Sequence, residues 1–495
     1  MFKNISLLML LICVSAVIIF FIRDSTYLDP DYDWHLATGN YILEHGAPTK
    51  DLFSYTMPNY PWIEHEWLSD VIYALALPII NTYGLALVQA LIIVLTLYLT
   101  FKNNIYIWTP AIFLLAAGEF MYFPGIRPQI FSWFFFSILL FIVLDANRWK
   151  KYAYLIPLII IAWVNLHGGF AIGIFLLFIK TVGESLKRKK LFIEGAVILI
   201  TSAAVTLINP YGIRIWEVVF GHFTSSELKL YVSDWSPGIT ALHPSFIFTI
   251  AISIIIAVKY LSKFKTEEII MFILLYIAAL SSIKYIPFWF LVTIIFINKG
   301  ILYFKNDLPG NIKLKNFRLL IFIFFLLSSL IFIFEAWFSL KTSYYNTEEL
   351  SYPKKAIEFL RTKGLGKNIF SPMGWSGYIV WKLPNRKIYI DGRMLLWKNK
   401  VKIKNESQNI FMESIYVIEG KIGLEKIVDK YKIDTIILPE APLDNNDLFL
   451  KIASIGHNKK LEYDFLYLTK IKQQITKTHF KKIYKDNVSV IYQRF

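Results

Sequence analysis

The 495-residue chain is 56% hydrophobic and only 18% charged, with a mean hydropathy of +0.49, against about 25% charged residues in an ordinary soluble domain. That excludes a water-soluble globular protein. The formal charge of +16 has no recurring basic, aromatic-interleaved module behind it, so nucleic acid is excluded as a partner.

In chain order, Lys3 precedes an apolar run over 5–22 that continues past the poor cleavage site Val14-Ser15-Ala16, which predicts a retained signal-anchor. The single cysteine, Cys13, lies in this run and leaves no internal disulfide. Ten more apolar segments follow, at 85–101, 105–118, 129–144, 154–166, 168–180, 191–208, 246–258, 269–282, 286–297 and 317–337. The stretch 68–80 is too short for a comfortable crossing of about 30 Å of hydrocarbon and reads as an interfacial helix. Basic residues decide between eleven and twelve crossings. With eleven, Lys102, Arg148/Lys150/Lys151, Lys187 to Lys190 and Lys259/Lys263/Lys265 all fall on one side, which the positive-inside rule makes cytoplasmic.

The expected architecture is therefore an α-helical polytopic membrane domain over 1–337 with about eleven transmembrane helices, an outer loop at 23–67 and an interfacial helix at 68–80. A soluble extracytoplasmic α/β domain follows over 338–495. That tail holds 28 Lys and Arg against 16 Asp and Glu. Its predicted strands are 367–371, 387–391 and 435–438, with a hairpin of 482–484 and 488–492 across Asp486-Asn487.

The first outer loop is the exception to the basic balance. Eight acids, Asp24, Asp29, Asp31, Asp33, Glu44, Asp51, Glu64 and Glu66, stand there against Arg23 and Lys50, among Trp34, His35, His45, Trp62, His65 and Trp67. A loop of this size and chemistry reads as a site. Asp29-Pro30-Asp31-Tyr32-Asp33-Trp34-His35 begins extended, which would project Asp29, Asp31 and Asp33 to one side, toward a cation or a proton donor. Asp33 is equally suited to N-cap the helix that follows, and Gly39 in that helix permits a close backbone approach. His65 and Glu66 stand at the start of the interfacial helix, in a run that lacks the second His of an HExxH zinc motif.

Polar residues at the membrane edge are costly and read as functional. Glu119, Arg127, Asn165, His167, Asn209, Asp234 and Lys284 all lie at predicted outer ends. Arg127 or Lys284 can pair with Glu119 or Asp234, or with a lipid phosphate. In the tail, Gly374-Trp375-Ser376-Gly377-Tyr378 and Asp391-Gly392-Arg393 either close over the site or, for Asp391 and Arg393, form a structural pair beside a glycine turn.

These residues resemble a family. The short inner N-terminus, single span, large acidic outer loop and interfacial helix look like the GT-C superfamily of polyprenyl-phosphate-sugar-dependent glycosyltransferases. The motifs from Asp29 to Leu36, Pro61-Trp62 to Leu68, Trp163 to Gly169, Asn209-Pro210-Tyr211-Gly212, Asp234-Trp235-Ser236-Pro237 and Ile390-Asp391-Gly392-Arg393 are similar to an uncharacterised bacterial membrane branch of it. The resemblance implies transfer of a sugar from a polyprenyl-phosphate donor to an extracytoplasmic glycan, lipid or protein acceptor at a bacterial inner membrane. It implies Asp31 or Asp33 as general base or as ligand of a divalent cation such as Mg or Mn, with His35, His65, Glu66, Arg127, His167 and Lys284 binding substrate or its phosphate. The Pro-Pro dipeptide found in aminoarabinose-type relatives is replaced here by Pro61-Trp62-Ile63-Glu64-His65-Glu66. A noncatalytic assembly factor or a transporter for cell-envelope polysaccharide stays open beside this reading. A transporter would line a through-path with polar groups, whereas a transferase would gather them at one end.

Overall fold

The computed structural model describes residues 5–102, 105–185, 189–308, 312–398, 409–440, 469–476 and 478–495. Lys187 of the predicted basic cluster lies outside them. The helical part runs α1 (Ile5–Thr26), α2 (Tyr32–His45), α3 (Trp67–Phe101), α4 (Thr109–Phe120), α5 (Gln129–Val143), α6 (Ala146–Tyr152), α7 (Ile156–Leu166) and α8 (Phe170–Ser185). It continues through α9 (Lys189–Val205), α10 (Ile215–Thr224), α11 (Ser226–Tyr231), α12 (Pro244–Tyr260), α13 (Thr266–Ser281), α14 (Ile286–Asn306) and α15 (Ile312–Tyr345).

Each apolar segment of the sequence is a helix here. Among the described residues, five helices are long and apolar enough to cross a membrane: Ile5–Thr26, Trp67–Phe101, Pro244–Lys263, Ile283–Asn306 and Asn316–Tyr345. Gln129–Val143 and Ala146–Leu166 pass only together and are bent by 112°. Thr109–Phe120, Phe170–Gly183 and Phe192–Val205 are shorter apolar helices. The fold is thus a polytopic membrane bundle. Inside α3 the backbone leaves the helical region at Asn81 (φ 52°, ψ −174°), between the stretch read as interfacial and the one beginning at Leu85.

One end of the bundle collects the polar residues. Arg23, near the end of α1, donates to the Phe120 carbonyl at the end of α4 (2.8 Å). α5 starts beside Arg127, α7 ends at His167 and α14 starts beside Lys284. The turns with Lys102, Arg148/Lys150/Lys151 and Lys263 lie at the other ends of these helices, where Lys263 pairs with Asp307 (2.8 Å). The charge asymmetry read from the sequence is an asymmetry between the two ends of the bundle. We call the end with the first loop the loop face.

The tail comprises α16 (Glu348–Ser351), α17 (Lys354–Lys363), β1 (Asn368–Phe370), α18 (Met373–Lys382), β2 (Lys387–Ile388), α19 (Ile410–Ile418), α20 (Leu424–Tyr431), β3 (Thr435–Pro439), β4 (Phe480–Lys485) and β5 (Ser489–Arg494). The sheet order is β2-β1-β3-β5-β4. β1 is parallel to β2 and β3, and β5 is antiparallel to β3 and β4. Alternation explains the burial: Thr435 to Leu438 is fully buried on both faces, as a central strand requires, while Lys481 and Lys482 of the edge strand β4 are exposed.

The tail is fastened to the first loop. Phe53 and Tyr55 exchange backbone hydrogen bonds with Ile388 (3.0 and 3.1 Å), and Thr56 donates to the Tyr389 carbonyl (2.6 Å). Arg393 supplies the strongest tie. Its guanidinium donates to Asp391 (2.6 Å) and Asp51 (3.3 Å) and lies over Phe53, Trp62 and Trp397, 4.6, 4.4 and 5.5 Å from their ring centroids. All three charged side chains are at most 2% exposed. Asp391 and Arg393 therefore form a structural pair, with Asp51 as a third member. Replacing Arg393 by Ala leaves two buried carboxylates without their cation and should cost about 3–5 kcal/mol. We expect a matching fall in the thermal unfolding midpoint and early proteolytic release of the tail; unchanged protease resistance would rule out the clamp.

Candidate active site

The segment Asp29 to His35 does not run extended through its three acids. Asp31 is the N-cap of α2 and Asp33 already lies in its first turn, with no side-chain capping bond from Asp31. The expected convergence therefore fails. Asp29 is buried, accepts the Asp31 amide (2.8 Å) and is ion-paired with Arg127. Asp31, half-buried, accepts from Trp34 Nε1 (3.1 Å) and faces Gly392, where a Cβ would stand 2.6 Å from its Oδ1. Asp33 is buried on another side, and its Oδ2 has no hydrogen-bond partner among the described residues. Asp33 is not the N-cap that its position in the sequence suggests.

Electrostatic surroundings separate the two candidate bases. The charge of Asp31 acts on Glu66, Arg127 and Lys284. Asp33 feels Lys382, Glu348 and Asp29 instead, and burial, only partly offset by Lys382, pushes its carboxyl up to about 7.

Glu66 is the hub of the remaining site. Its Oε1 lies 3.1 Å from His167 Nε2 and 3.8 Å from His65 Nε2, and its Oε2 lies 3.6 Å from His35 Nε2. Burial raises its carboxyl to about 7, with His35 and Lys284 pulling down and Glu64 up. The tautomer of His167 follows from its neighbours. Its Nδ1 accepts the Gly169 amide (2.8 Å), which can only donate, and lies 2.7 Å from Ser132 Oγ. Trp163 Nε1 donates to that same Ser132 oxygen (2.7 Å), leaving the hydroxyl proton for His167. The imidazole proton is therefore on Nε2, pointing at Glu66. Burial holds the imidazole of His167 well below its usual pKa, and that of His65 likewise. His35 has its Nδ1 2.6 Å from Asp70 Oδ1 and lies against Trp34 with centroids 3.7 Å apart and the rings tilted by 32°.

The two expected phosphate cations are placed differently. Arg127 bridges Asp29 and Asp234 (2.7 Å to the latter), with its backbone amide on Gln89 Oε1 (3.1 Å). Lys284 lies over Trp235, 4.6 Å from the ring centroid. Glu119 takes neither cation; it is paired with His243 (2.9 Å) and Ser245 (2.9 Å). Asn165 is structural, accepting from Trp67 Nε1 and donating to the Ile161 and Ile208 carbonyls.

The structure thus brings Asp31, His35, His65, Glu66, Arg127, His167 and Lys284 to one side of the loop face and leaves Asp33 apart. It adds Asp70, Ser132, His222 and Trp235. Asp70 is four residues beyond Glu66 and so on the same helix face, a signal the sequence carried. Ser132 and His222 had none. Among the described residues no three His, Cys, Asp or Glu side chains converge to hold a metal ion. Asp29 is turned to Arg127 and Asp31 Oδ1 to Trp34, so these two acids do not converge on one cation.

Protonation has a defined sign here. Glu66 titrates near 7 folded and near its ordinary 4.5 unfolded, so the folded state holds the extra proton between those values. Its contribution is present below pH 4.5 and is lost as pH rises through 7. We expect Glu66→Gln to remove a decline of on the order of 3 kcal/mol across that window, read from unfolding midpoints at stepped pH. By the same logic Asp33→Asn should be tolerated or stabilising at pH 8, and a large destabilisation there would contradict its unpartnered burial.

Comparison with known proteins completes the description. No family model matches the chain, and no curated protein matches its sequence. Solved structures do match. The oligosaccharyltransferase of Archaeoglobus fulgidus in its apo form superposes with a TM-score of 0.56 at 13% identity, over 88% of this chain and 70% of that one. The archaeal oligosaccharyltransferase AglB from Archaeoglobus fulgidus, in complex with an inhibitory peptide and a dolichol-phosphate, gives 0.53 at 13% identity, over 87% and 69%.

Proposed function

Starting from the GT-C fold that this likeness shows, we propose that the protein is a membrane glycosyltransferase. It moves a sugar from a polyprenyl-phosphate-linked donor to a hydroxyl of an extracytoplasmic glycan, lipid or protein acceptor. The observation that carries the reading is geometric: at the loop face Glu66 is ringed by His35, His65 and His167, and the Asp31 amide donates to the Asp29 carboxylate that Arg127 holds. The neighbours' lipid-linked chemistry, a dolichol-phosphate in the AglB complex, supports a donor of that class. In this scheme the loop face and the tail are extracytoplasmic, 1–337 is the transmembrane domain, and the membrane is a bacterial inner membrane.

The reaction needs three things of the chain. The acceptor oxygen attacks the sugar C1 as the bond from C1 to the phosphate oxygen breaks, and the lipid phosphate leaves with the electron pair. Asp31 takes the acceptor proton, since its carboxylate is half-open and its Oδ1 is already oriented by Trp34. Lys284, held on Trp235 beside the site, meets the charge that develops on the departing phosphate. Glu66, with His65 and His35 on either side, offers acceptors and donors suited to sugar hydroxyls. Arg127 binds Asp29 and Asp234 and so shapes the site around Asp31. Asp24, Glu66, Asp70, Glu119 and Asp391 are buried at the loop face, whereas the buried Glu267 and Glu268 stand at the other end, Glu268 with Lys299.

Asp31→Asn removes the base while keeping the size and the Trp34 bond, and general-base losses run about 10²–10⁴-fold. We expect that loss in surface-glycan transfer with the protein still present in the membrane, and accumulation of one lipid-linked sugar in cells lacking the protein. An intact glycan in the Asp31→Asn strain would sink the assignment.

A further inference from the structure

Asp70, His35 and Glu66 stand in a row that the reaction scheme uses only at one end. Asp70 Oδ1 lies 2.6 Å from His35 Nδ1, and His35 Nε2 lies 3.6 Å from Glu66 Oε2. Asp70 is in the first turn of α3, of which Glu66 is the N-cap, and both Asp70 and His35 are buried. The other charges that act on His35 are those of Asp29, Asp31 and Arg127, and Arg127 is already paired with Asp29.

The same number of protons can be ordered along this row in three ways. With Asp70 as a carboxylate its oxygen can only accept, so the imidazole proton sits on Nδ1, the Nε2 lone pair faces Glu66, and Glu66 carries a proton. With Asp70 neutral its hydroxyl donates to Nδ1, the imidazole proton sits on Nε2, and Glu66 is the carboxylate. The third order places an imidazolium between two carboxylates. Burial of charge decides among them. Asp70 Oδ2 has no hydrogen-bond partner among the described residues, and an ionised oxygen left unmet costs more than a neutral one. Arg393, whose charge reaches Asp70, is held by Asp391 and Asp51. Glu66 is better served. The His167 Nε2 proton, fixed by Gly169 and Ser132, meets it at 3.1 Å. Both orders with a charged Asp70 therefore put charge at the poorer end of the row.

We propose that Asp70 is a positioning residue: a neutral acid that donates to His35 Nδ1 and so turns the His35 Nε2 proton toward Glu66, which meets the substrate as a carboxylate between two imidazole protons. What Glu66 meets, the hydroxyls of a sugar, rests on the transferase reading. The proton order does not. It makes Asp70 the support of a hydrogen-bond acceptor that it never touches, acting through an imidazole held in one tautomer.

The test applies infrared and nitrogen magnetic resonance spectroscopy to the purified full chain in lipid vesicles at about pH 8, where exposed carboxyl groups are ionised. The difference between wild type and Asp70→Asn should show the loss of one neutral-carboxyl carbonyl band. His35, identified among the eight histidines by its absence in His35→Gln, should carry its proton on Nε2. Asp70→Asn, whose amide also donates to Nδ1, should keep that form, and Asp70→Ala should lose it. An ionised Asp70, a proton on Nδ1, or an Asn variant in which the proton moves would each overturn the proposal. In surface-glycan transfer Asp70→Ala should lose about 10²-fold, the scale of a misplaced catalytic group, and Asp70→Asn should recover most of it. Equal losses in the two variants would also overturn it, because a carboxylate that acts by accepting a proton bond is not replaced by an amide. A wild type that shows the neutral acid and the Nε2 proton but transfers no sugar would refute the transferase and leave the proton order standing.

Discussion

An ionised carboxylate taken out of water costs several kcal/mol unless a fixed partner meets it, and the first loop with the start of α3 takes several carboxyl groups out. Most of their partners come from other elements. Asp24 is met by Arg23, Gln89 and the Gly125 amide, Asp29 by Arg127, and Asp51 by Arg393. Glu66 is met by His167 and Asp70 by His35. The need to satisfy these acids pins the loop to α1, α3, α5, α7 and the tail at once. A surface excursion of the chain becomes the rigid floor of a site.

Close backbone approach lets this happen without voids. A Cβ on Gly39 would stand 2.1 Å from the Asp70 carbonyl oxygen, and one on Gly377 would stand 2.7 Å from that of Pro30. α2 can therefore lie against both α3 and α18. Gly392 does the same at the carboxylate of Asp31. The tail is thus a wall of the site, in contact with the acid proposed as base.

Much of this was readable in the sequence, and the boundary is physical. Hydrophobic runs located the helices because period and length are local properties. Gly39 was readable as a close contact, and Asp391 with Arg393 as a pair, because only Gly392 stands between those two. The directions of Asp29, Asp31 and Asp33 were not readable. They depend on where α2 begins, and that is set by Arg127, 98 residues from Asp29, and by the tail. Which acid Arg127 takes was not readable for the same reason: it pairs with Asp234, while Glu119 takes His243, 124 residues away. Identity of residue type survives in sequence, but the choice among equally charged partners is made by packing.

The Arg393 clamp also imposes an order of events during synthesis. Asp51 and Arg393 are 342 residues apart, so at about 5–20 residues per second the ribosome delivers the cation tens of seconds after the acid. Until then the loop that carries the site has its helices in place but Asp51 without its cation and Phe53 and Trp62 without the guanidinium that lies over them. Assembly of this site therefore waits for the tail. A chain interrupted between the first loop and Arg393 holds a complete set of loop residues and no finished floor.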